Sequence, residues 1–286
     1  MSEITLLGLG AMGSALGRAL LENEFELTVW NRSVEKTKSL VKLGAKAAGS
    51  LETAIDASPR ILICITKYEA SRALLDQPSI LPRLANKTII QLSTGTPGEV
   101  RNTSKWVSDQ GANYLDGSIM VYPETIGKEA AQLLVAGDEN VFRDCQPYIN
   151  SLGGDIRYVG ENIAAAAVLD LAVLSRLCAI TPGVVNGAHI CESEGVPLTY
   201  YAELFPEGDR ARSLALSIHH NNFTDDISAS VNTAISCLSA IKTHSEDLGI
   251  NCEVAEFGIG LYQRAADAGL GDQDTASLIK ILRQAS

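Results

Sequence analysis

Short runs of β-branched and aliphatic residues alternate with helical patterns along the first half of the chain. The runs that predict strands are 4–8, 26–30, 60–66, 88–93, 113–115, 132–136 and 155–159, and the patterns that predict helices are 12–23, 34–43, 97–110 and 140–151. Alternation of this kind, with short connections, is typical of a doubly wound α/β fold with a parallel sheet. We therefore expect an α/β N-terminal domain over residues 1–160.

The pattern changes near residue 160. Residues 162–180 are almost wholly Ala, Leu, Val and Ile, and the stretch is too long for a strand. Helical patterns follow at 182–195, 199–207, 210–221, 227–248, 254–268 and 275–285. These patterns predict a long inter-domain helix that leads into an all-α C-terminal domain over residues 161–286. A helix that is apolar on all sides must be buried on all sides, so we expect a second copy of the chain to cover it. The alternative is that the chain's own sheet and helices suffice.

Composition narrows the classes of partner. The 286 residues carry a formal net charge of −11, which disfavours nucleic acid and anionic membranes, since both select basic surfaces. Six cysteines without CxxC or CxH spacing favour free thiols in a reducing compartment, and the four histidines form no ligand pattern. With no basic leader and no uninterrupted apolar stretch of ~20 residues, we expect a cytoplasmic protein without a metal.

A glycine-rich segment connects the first predicted strand to the first predicted helix. It consists of Gly8, Leu9, Gly10, Ala11, Met12 and Gly13 and fits G-x-G-x-x-G. In such a Rossmann loop the glycines allow a tight turn, close approach of the backbone to a pyrophosphate, and close helix–strand packing. The helix N-terminus presents free N–H groups to the anion. This context favours dinucleotide binding over a merely structural turn.

The end of the second predicted strand discriminates between the two nicotinamide cofactors. NAD-specific folds place a carboxylate there for the ribose 2′-hydroxyl. This chain has instead Asn31, Arg32 and Ser33, with Lys36 one helical turn later. Guanidinium and ammonium groups suit a 2′-phosphate, and a carboxylate would repel it. We therefore predict NADP(H), against the alternative that Arg32 is a solvated surface charge.

Later strand ends supply further candidates, because ligands of open α/β sheets collect at the carboxyl ends of strands. Ile65, Thr66 and Lys67 end one predicted strand, and Ser93 and Thr94 end the next. Ser93 or Thr96 can equally be a helix cap before Pro97, and for Thr96 we favour the cap.

Asp170 is the only ionisable residue in the middle of the apolar stretch 162–174. Burial of an unpaired carboxylate is costly, so such a group is paired, protonated or used in chemistry. Desolvation would raise its pKa toward values useful to a proton donor. Two interpretations stay open: a catalytic acid, or a structural Asp paired with a Lys or Arg from another helix.

Together the glycine loop, the Val29–Lys36 segment, the Leu92–Pro97 segment and the Asp170–Ser175 segment resemble the imine reductase and reductive aminase family, whose wider relatives are the β-hydroxyacid dehydrogenases. The resemblance implies NADPH-dependent reduction of C=N bonds, with Asp170 protonating or orienting the imine nitrogen. It implies a homodimer that exchanges helical domains, and a small-molecule imine, or ketone plus amine, as substrate. The pocket residues that it implies are Thr94, Met120, Tyr122, Pro123, Leu174 and Cys178.

Two departures from related patterns bear on the reaction. β-Hydroxyacid dehydrogenases need a Lys on the inter-domain helix, but residues 160–187 contain none. Reductive aminases of this type often carry Asn in place of Thr94, Tyr in place of Cys178, and a Trp in the helical domain. We therefore predict reduction of a preformed imine, cyclic imines included, ahead of reductive amination of ketones. The alternatives are a β-hydroxyacid-type dehydrogenase that lacks the usual Lys and a catalytically silent NADP(H)-binding protein.

Overall fold

The first half of the chain forms one eight-stranded sheet in the computed structural model, which describes residues 2–225 and 227–285. The strands are β1 (Ile4–Leu7), β2 (Leu27–Trp30), β3 (Lys46–Ala47), β4 (Arg60–Ile63), β5 (Thr88–Gln91), β6 (Asn113–Ile119), β7 (Gln132–Gly137) and β8 (Asp155–Tyr158). Their order in the sheet is β3-β2-β1-β4-β5-β6-β7-β8, and every neighbouring pair is parallel except β6 and β7. The predicted doubly wound α/β architecture is confirmed.

Helices surround the sheet and make up the second half of the chain. They are α1 (Ala11–Glu22), α2 (Lys38–Val41), α3 (Leu51–Asp56), α4 (Tyr68–Leu75), α5 (Pro97–Asp109), α6 (Glu139–Asn150), α7 (Ala165–Ser193), α8 (Leu198–Glu203), α9 (Arg210–His219), α10 (Val231–Leu248), α11 (Glu253–Ala265) and α12 (Ile279–Leu282). Short 3₁₀ segments lie at Val34–Thr37, Leu81–Arg83, Pro123–Thr125, Thr275–Leu278 and Arg283–Ala285, and a π-helical turn at Ala266–Leu270.

The chain divides into two compact units, Met1–Asp170 and Leu171–Ser286. The division falls inside α7, after its first turns. The domain boundary that we predict near residue 160 stays a prediction.

In the first unit, alternate residues of the central strands face the two sides of the sheet. Leu6 and Leu62 belong to the core beneath α1, with Leu16 and Leu20. Leu7 and Ile63 belong to the core on the opposite side, which α3, α4 and α5 cover. A strand with both faces buried reads as a continuous apolar run, and this is why the sequence predicts these strands well.

The second unit has its own helical core around the fully buried side chains of Tyr262, Leu214 and Leu278. A buried carboxylate organises its C-terminal segment. The Arg210 guanidinium donates to both carboxylate oxygens of Asp274, at 3.0 and 3.1 Å, and the backbone N–H groups of Ser228 and Ala276 donate to the same side chain.

The predicted break in the apolar segment is wrong. Residues 162–180 and 182–195 were expected to form two helices, but α7 is continuous and contains Pro182. Proline in a helix interior removes one backbone hydrogen bond and costs about 3 kcal/mol. Val184, Val185 and Ala188 are buried just beyond it, and burial of this kind outweighs the local penalty.

By length and composition alone, α7 could cross a membrane, with a mean hydropathy of 1.7 in its most apolar window. One such helix is weak evidence, because the core helix of a globular protein passes the same test.

Candidate active site

The chain order of the strands opens a cleft at one edge of the sheet. From β1 the chain proceeds to β2 and β3 on one side, then returns to β4 on the other side. Ligands of open α/β sheets bind at such a switch point, outside the carboxyl ends of the strands. A cavity of about 660 Å³ lies there. Its lining residues are Gly8, Leu9, Gly10, Ala11, Met12, Gly13, Trp30, Asn31, Arg32, Ser33, Lys36, Cys64, Ile65, Thr66, Ala70, Leu74, Leu92, Ser93, Thr94, Gly117, Ser118, Ile119 and Asp170.

The glycine loop has the geometry that its motif predicts. Gly8 has a φ of +95°, and a Cβ there would lie 2.3 Å from the Cys64 carbonyl oxygen. A Cβ on Gly13 would lie 1.9 Å from the Gly8 carbonyl oxygen, so helix and strand meet too closely for any side chain. Gly10 has no neighbour within 4 Å of its Cβ position. It precedes the first turn of α1, which contains no acidic residue, so the helix N-terminus is open to an anion.

The side-chain amide of Asn31 is hydrogen-bonded to backbone groups, and the cofactor contact predicted for Asn31 stays a prediction. Its Oδ1 accepts a hydrogen bond from the Leu9 backbone N–H at 3.0 Å, and its Nδ2 donates to the Ser33 carbonyl oxygen at 3.1 Å. The amide therefore ties the end of β2 to the glycine loop. Asn31 lines the cavity, but its polar atoms are engaged by backbone.

Two exposed cations lie beside that junction. Arg32 and Lys36 line the cavity together with Ser33. The ion pairs found among the described residues include neither cation. The carboxylate of the intervening Glu35 is instead paired with Lys38 at 2.6 Å. The strand end thus offers positive charge and a hydroxyl group to an anionic ligand.

The ends of β4 and β5 are joined by a side chain. The Ser93 hydroxyl accepts a hydrogen bond from the Ile65 backbone N–H at 3.0 Å, which holds the two loops together at the cavity. Thr66 and Thr94 line the cavity beside them. Thr96 caps α5, accepting from the Glu99 backbone N–H in a capping box, so the predicted cap is confirmed.

Asp170 lies at the end of the first unit and lines the same cavity as the glycine loop. Burial raises the pKa of its carboxyl from the ordinary value of 3.8 to about 6. Within residues 2–225 and 227–285, no ion pair includes this carboxylate. The structural interpretation, which requires a Lys or Arg partner, is not supported by these contacts.

Six predicted site residues do not line the cavity. Lys67 is exposed at the start of α4, and Met120, Tyr122 and Pro123 follow β6 without reaching the cavity. Leu174 and Cys178 lie in the second unit, where Cys178 is part of the buried core. All of these positions except Lys67 are pocket residues that the family resemblance implies.

Several lining residues were missed by the sequence analysis. Ala70 and Leu74 lie one turn apart on α4, a short helix that was not predicted. Gly117, Ser118 and Ile119 were missed because the predicted strand stopped at Leu115, whereas β6 continues to Ile119. Asp116, Gly117 and Ser118 are polar or small residues inside β6, and they interrupt the apolar pattern that predicts a strand.

One cluster outside the cavity contains three residues of metal-ligating types. The ligand atoms of Glu246, Cys252 and Glu256 lie within 4.8 Å of one another. The Lys242 ammonium is hydrogen-bonded to Glu256 at 2.5 Å and paired with Glu246 at 3.3 Å. A cation of the protein therefore already contacts both carboxylates of this cluster.

Comparison with known proteins decides the family. Residues 3–160 match the NAD binding domain of 6-phosphogluconate dehydrogenase, and residues 162–284 match the C-terminal domain of NADPH-dependent reductive aminase-like proteins. An imine reductase from Myxococcus stipitatus, solved with NADP+, is 31% identical, with a TM-score of 0.68 and coverage of 98% of this chain and 99% of that one. The chain belongs to the imine reductase and reductive aminase family.

Two further relatives show how far the similarity extends. An NADPH-dependent reductive aminase from Aspergillus oryzae is 34% identical over 193 residues, which are 67% of this chain and 64% of that protein. A 3-hydroxyisobutyrate dehydrogenase from Salmonella typhimurium has a TM-score of 0.82 at 15% identity, covering 98% of this chain and 100% of that one. At that identity the likeness shows the fold alone. The predicted family and fold class are thus confirmed, and the protein is a member of an oxidoreductase family with a nicotinamide dinucleotide-binding domain.

Proposed function

We propose that this protein is an NADPH-dependent imine reductase in which Asp170 protonates the imine nitrogen. The observation that supports the proposal most strongly is the position of Asp170. A half-buried carboxyl without a cationic partner among the described residues lines the same cavity as the dinucleotide loop. The names of the related proteins, an imine reductase and a reductive aminase, point to the same chemistry.

The cavity fits the phosphorylated cofactor. Its volume of about 660 Å³ is in the ordinary range for ligand sites, ~300–1,000 Å³. The glycine loop and the N-terminus of α1 would hold the pyrophosphate. Arg32, Ser33 and Lys36 would hold the 2′-phosphate, because they present two cations and a hydroxyl at the end of β2. When bound, NADPH supplies the hydride that reduces the C=N carbon.

The chain's own part in the chemistry is to deliver a proton. The Asp170 carboxyl gives its proton to the imine nitrogen as the C=N carbon takes up hydride, and the carboxylate is reprotonated from solvent. The products are the amine and NADP+. A pKa of about 6 suits this role, since a general acid works best when its pKa is near the operating pH. The protonated fraction falls as pH rises through that value, so turnover should fall with it.

A carboxylic acid also explains why imines suit this site better than hydroxyacids. Reduction of an imine needs one proton at nitrogen. A β-hydroxyacid dehydrogenase needs an ammonium to polarise a carbonyl, and residues 160–187 contain no Lys. The shared fold with a 3-hydroxyisobutyrate dehydrogenase keeps this activity as the second candidate, with a silent NADP(H)-binding protein as the third.

The experiment follows NADPH oxidation against a panel of cyclic imines and against ketones with and without amine. NADP+ reduction is followed separately with 3-hydroxy acids. Turnover of imines supports the proposal, and turnover of ketones only with amine present extends it to reductive amination. Oxidation of 3-hydroxy acids alone would favour the second candidate. NADPH binding without any turnover would favour the third.

The role of Asp170 is tested by Asp170→Asn. The amide keeps the size and hydrogen-bonding capacity of the side chain but has no acidic proton to give. We expect turnover of the imine to fall by about 10²–10⁴-fold, while the dissociation constant of NADPH stays unchanged. Asp138→Asn is the control, because Asp138 is an exposed helix cap outside the cavity. Unchanged turnover in Asp170→Asn would show that Asp170 is not the proton donor.

We also propose that the active protein is a homodimer with exchanged helical domains and that it works in the cytoplasm. The apolar side chains of Val168, Leu169, Val173 and Leu177 on α7 are 37–42% exposed in the single chain. Exposed apolar surface on a helix of this composition favours coverage by a second copy. A sedimentation experiment that finds a stable monomer at micromolar concentration would refute the proposed dimer.

A further inference from the structure

A carboxylate lies among the cations that are proposed to bind the 2′-phosphate. Glu35 is the only acidic residue in residues 31–51, a segment whose cations are Arg32, Lys36, Lys38, Lys42 and Lys46. NAD-specific folds use a carboxylate at this strand end, and a carboxylate disfavours a phosphate there. A site for the phosphorylated cofactor must therefore keep the Glu35 charge away from the cations that bind the phosphate.

Glu35 lies beside the cofactor cavity. A second cavity of about 300 Å³ adjoins the first one. Both are lined by Leu9, Gly10, Ala11 and Lys36, and Glu35 lines the second. The side chains of Glu35 and Lys36 therefore border the same recess next to the glycine loop. The Glu35 side chain is 78% exposed, so packing does not hold it in one orientation.

Three cations lie within three residues of this carboxylate. Arg32 precedes it by three residues, Lys36 follows it directly, and Lys38 follows it by three. The Glu35 Oε2 lies 2.6 Å from the Lys38 Nζ. Among residues 2–225 and 227–285, no ion pair includes Arg32 or Lys36. The carboxylate is thus paired with the one cation of the three that lines neither of these two cavities.

The local backbone favours this pairing. Glu35 lies in the 3₁₀ segment Val34–Thr37, and Lys38 begins α2 directly after it. Side chains three residues apart on a helical segment are neighbours, and in 3₁₀ geometry they are eclipsed. Arg32 precedes Ser33, the N-cap residue, whose backbone is extended, so the same spacing does not place Arg32 on that helical face.

We propose that Lys38 is a specificity-determining residue that acts through Glu35. By holding the Glu35 carboxylate, Lys38 keeps the two cations of the cofactor cavity free for the 2′-phosphate. Without Lys38, the carboxylate would pair with a cavity cation and compete with the phosphate for it. This role rests on the proposed function, in which Arg32, Ser33 and Lys36 hold the 2′-phosphate.

The test measures equilibrium binding of NADP+ and NAD+ at low salt, without turnover, to the wild type, Lys38→Met, Glu35→Gln and the double variant. Methionine keeps the apolar stem of the lysine side chain but removes its charge. We expect Lys38→Met to weaken NADP+ binding by about two- to fivefold, which is the effect of one exposed ion pair. Binding of NAD+, which lacks the 2′-phosphate, should weaken by less than about twofold. The loss should shrink as salt is added, because these side chains are exposed.

The double variant separates the proposed role from a general effect of charge. If Lys38 acts through Glu35, Lys38→Met should have little effect on NADP+ affinity where Glu35 is already Gln. If Lys38 instead attracted the phosphate as an independent charge, the two substitutions would be additive and the loss would be the same in both backgrounds.

Lys42→Met is the matched control. Lys42 is an exposed lysine of the same segment, lines neither of the two cavities, and has no ion pair in the described parts of the chain. Its substitution removes the same charge and should leave the preference for NADP+ unchanged. Lys38→Arg, which keeps a cation for Glu35, should keep the preference as well.

An equal loss of NADP+ affinity on Lys38→Met in both backgrounds would overturn the inference, as would unchanged NADP+ affinity or an equal loss for NADP+ and NAD+. In each of these cases, a wild-type preference for NADP+ would leave the proposed 2′-phosphate contacts standing. A wild type that binds NADP+ no more tightly than NAD+ would refute those contacts, and the role of Lys38 with them. None of these measurements depends on imine turnover.

Discussion

Replacement of Arg32 by Ala tests how the site selects its cofactor. Arg32 is exposed at the end of β2 and lines the cavity with Ser33 and Lys36. A guanidinium can give a phosphate two parallel charge-assisted hydrogen bonds. Hydrogen bonds to charged groups contribute about 1.5–3 kcal/mol each, and solvent screening at this exposed site reduces the sum. We therefore take ~2 kcal/mol as the loss for NADPH, which is about thirtyfold in the Michaelis constant. NADH, which lacks the 2′-phosphate, should be affected less than about threefold.

The assay measures steady-state kinetics with each cofactor at saturating imine, together with equilibrium binding of NADP+ and NAD+. Arg101→Ala is the matched control, since Arg101 is an exposed arginine on α5 that does not line the cavity. The preference for NADPH in the wild type should also shrink as salt is added, because both cations are exposed. An equal loss for NADPH and NADH would refute the reasoning and leave Arg32 as a solvated surface charge.

Two other substitutions test the framework of each unit. Gly13→Ala places a methyl group 1.9 Å from the Gly8 carbonyl oxygen, so the loop must move. Titration calorimetry should then find that NADP+ and NAD+ binding are lost together. Retained affinity for the cofactors would show that the loop can accommodate the methyl group. Asp274→Ala removes the buried partner of Arg210 and two acceptors for backbone N–H groups. Urea denaturation should show that the free energy of unfolding of the second unit falls by ~3 kcal/mol. An unchanged urea concentration at the unfolding midpoint would mean that water replaces the Arg210–Asp274 contacts.

The sequence predicts the cofactor loop well because backbone conformation alone dictates its residues. Positive φ at Gly8 and the close approach at Gly13 exclude side chains. Because this requirement is local, it is visible in the sequence as glycines at fixed spacing. The buried strands are predicted for a similar reason, since both faces of a central strand are apolar. Asp170 stands out because a lone charge in an apolar helix is conspicuous.

What could not be predicted depends on contacts between distant residues. Asp116 lies in a run, Tyr114-Leu115-Asp116-Gly117, that resembles the end of a strand, and only the fold brings Tyr68 to it from α4. The continuity of α7 through Pro182 was missed because local propensity favours a break there, while burial of Val184 and Val185 opposes it. Propensity is a weak indicator wherever tertiary packing decides.

Asn31 and Arg32 are adjacent in the sequence, but the structure gives them different roles. Asn31 supports the glycine loop, and Arg32 faces the cavity. The Asn31 amide binds the Leu9 N–H and the Ser33 carbonyl oxygen, so Asn31→Ala should loosen the glycine loop without removing a phosphate contact. Loss of a neutral hydrogen bond costs about 1 kcal/mol, which predicts a roughly fivefold weaker affinity for NADP+ and NAD+ alike. Arg32→Ala should instead discriminate between them, and the two variants measured side by side distinguish support of the loop from recognition of the phosphate. A loss specific to NADP+ in Asn31→Ala would contradict this division and assign Asn31 a direct contact with the 2′-phosphate.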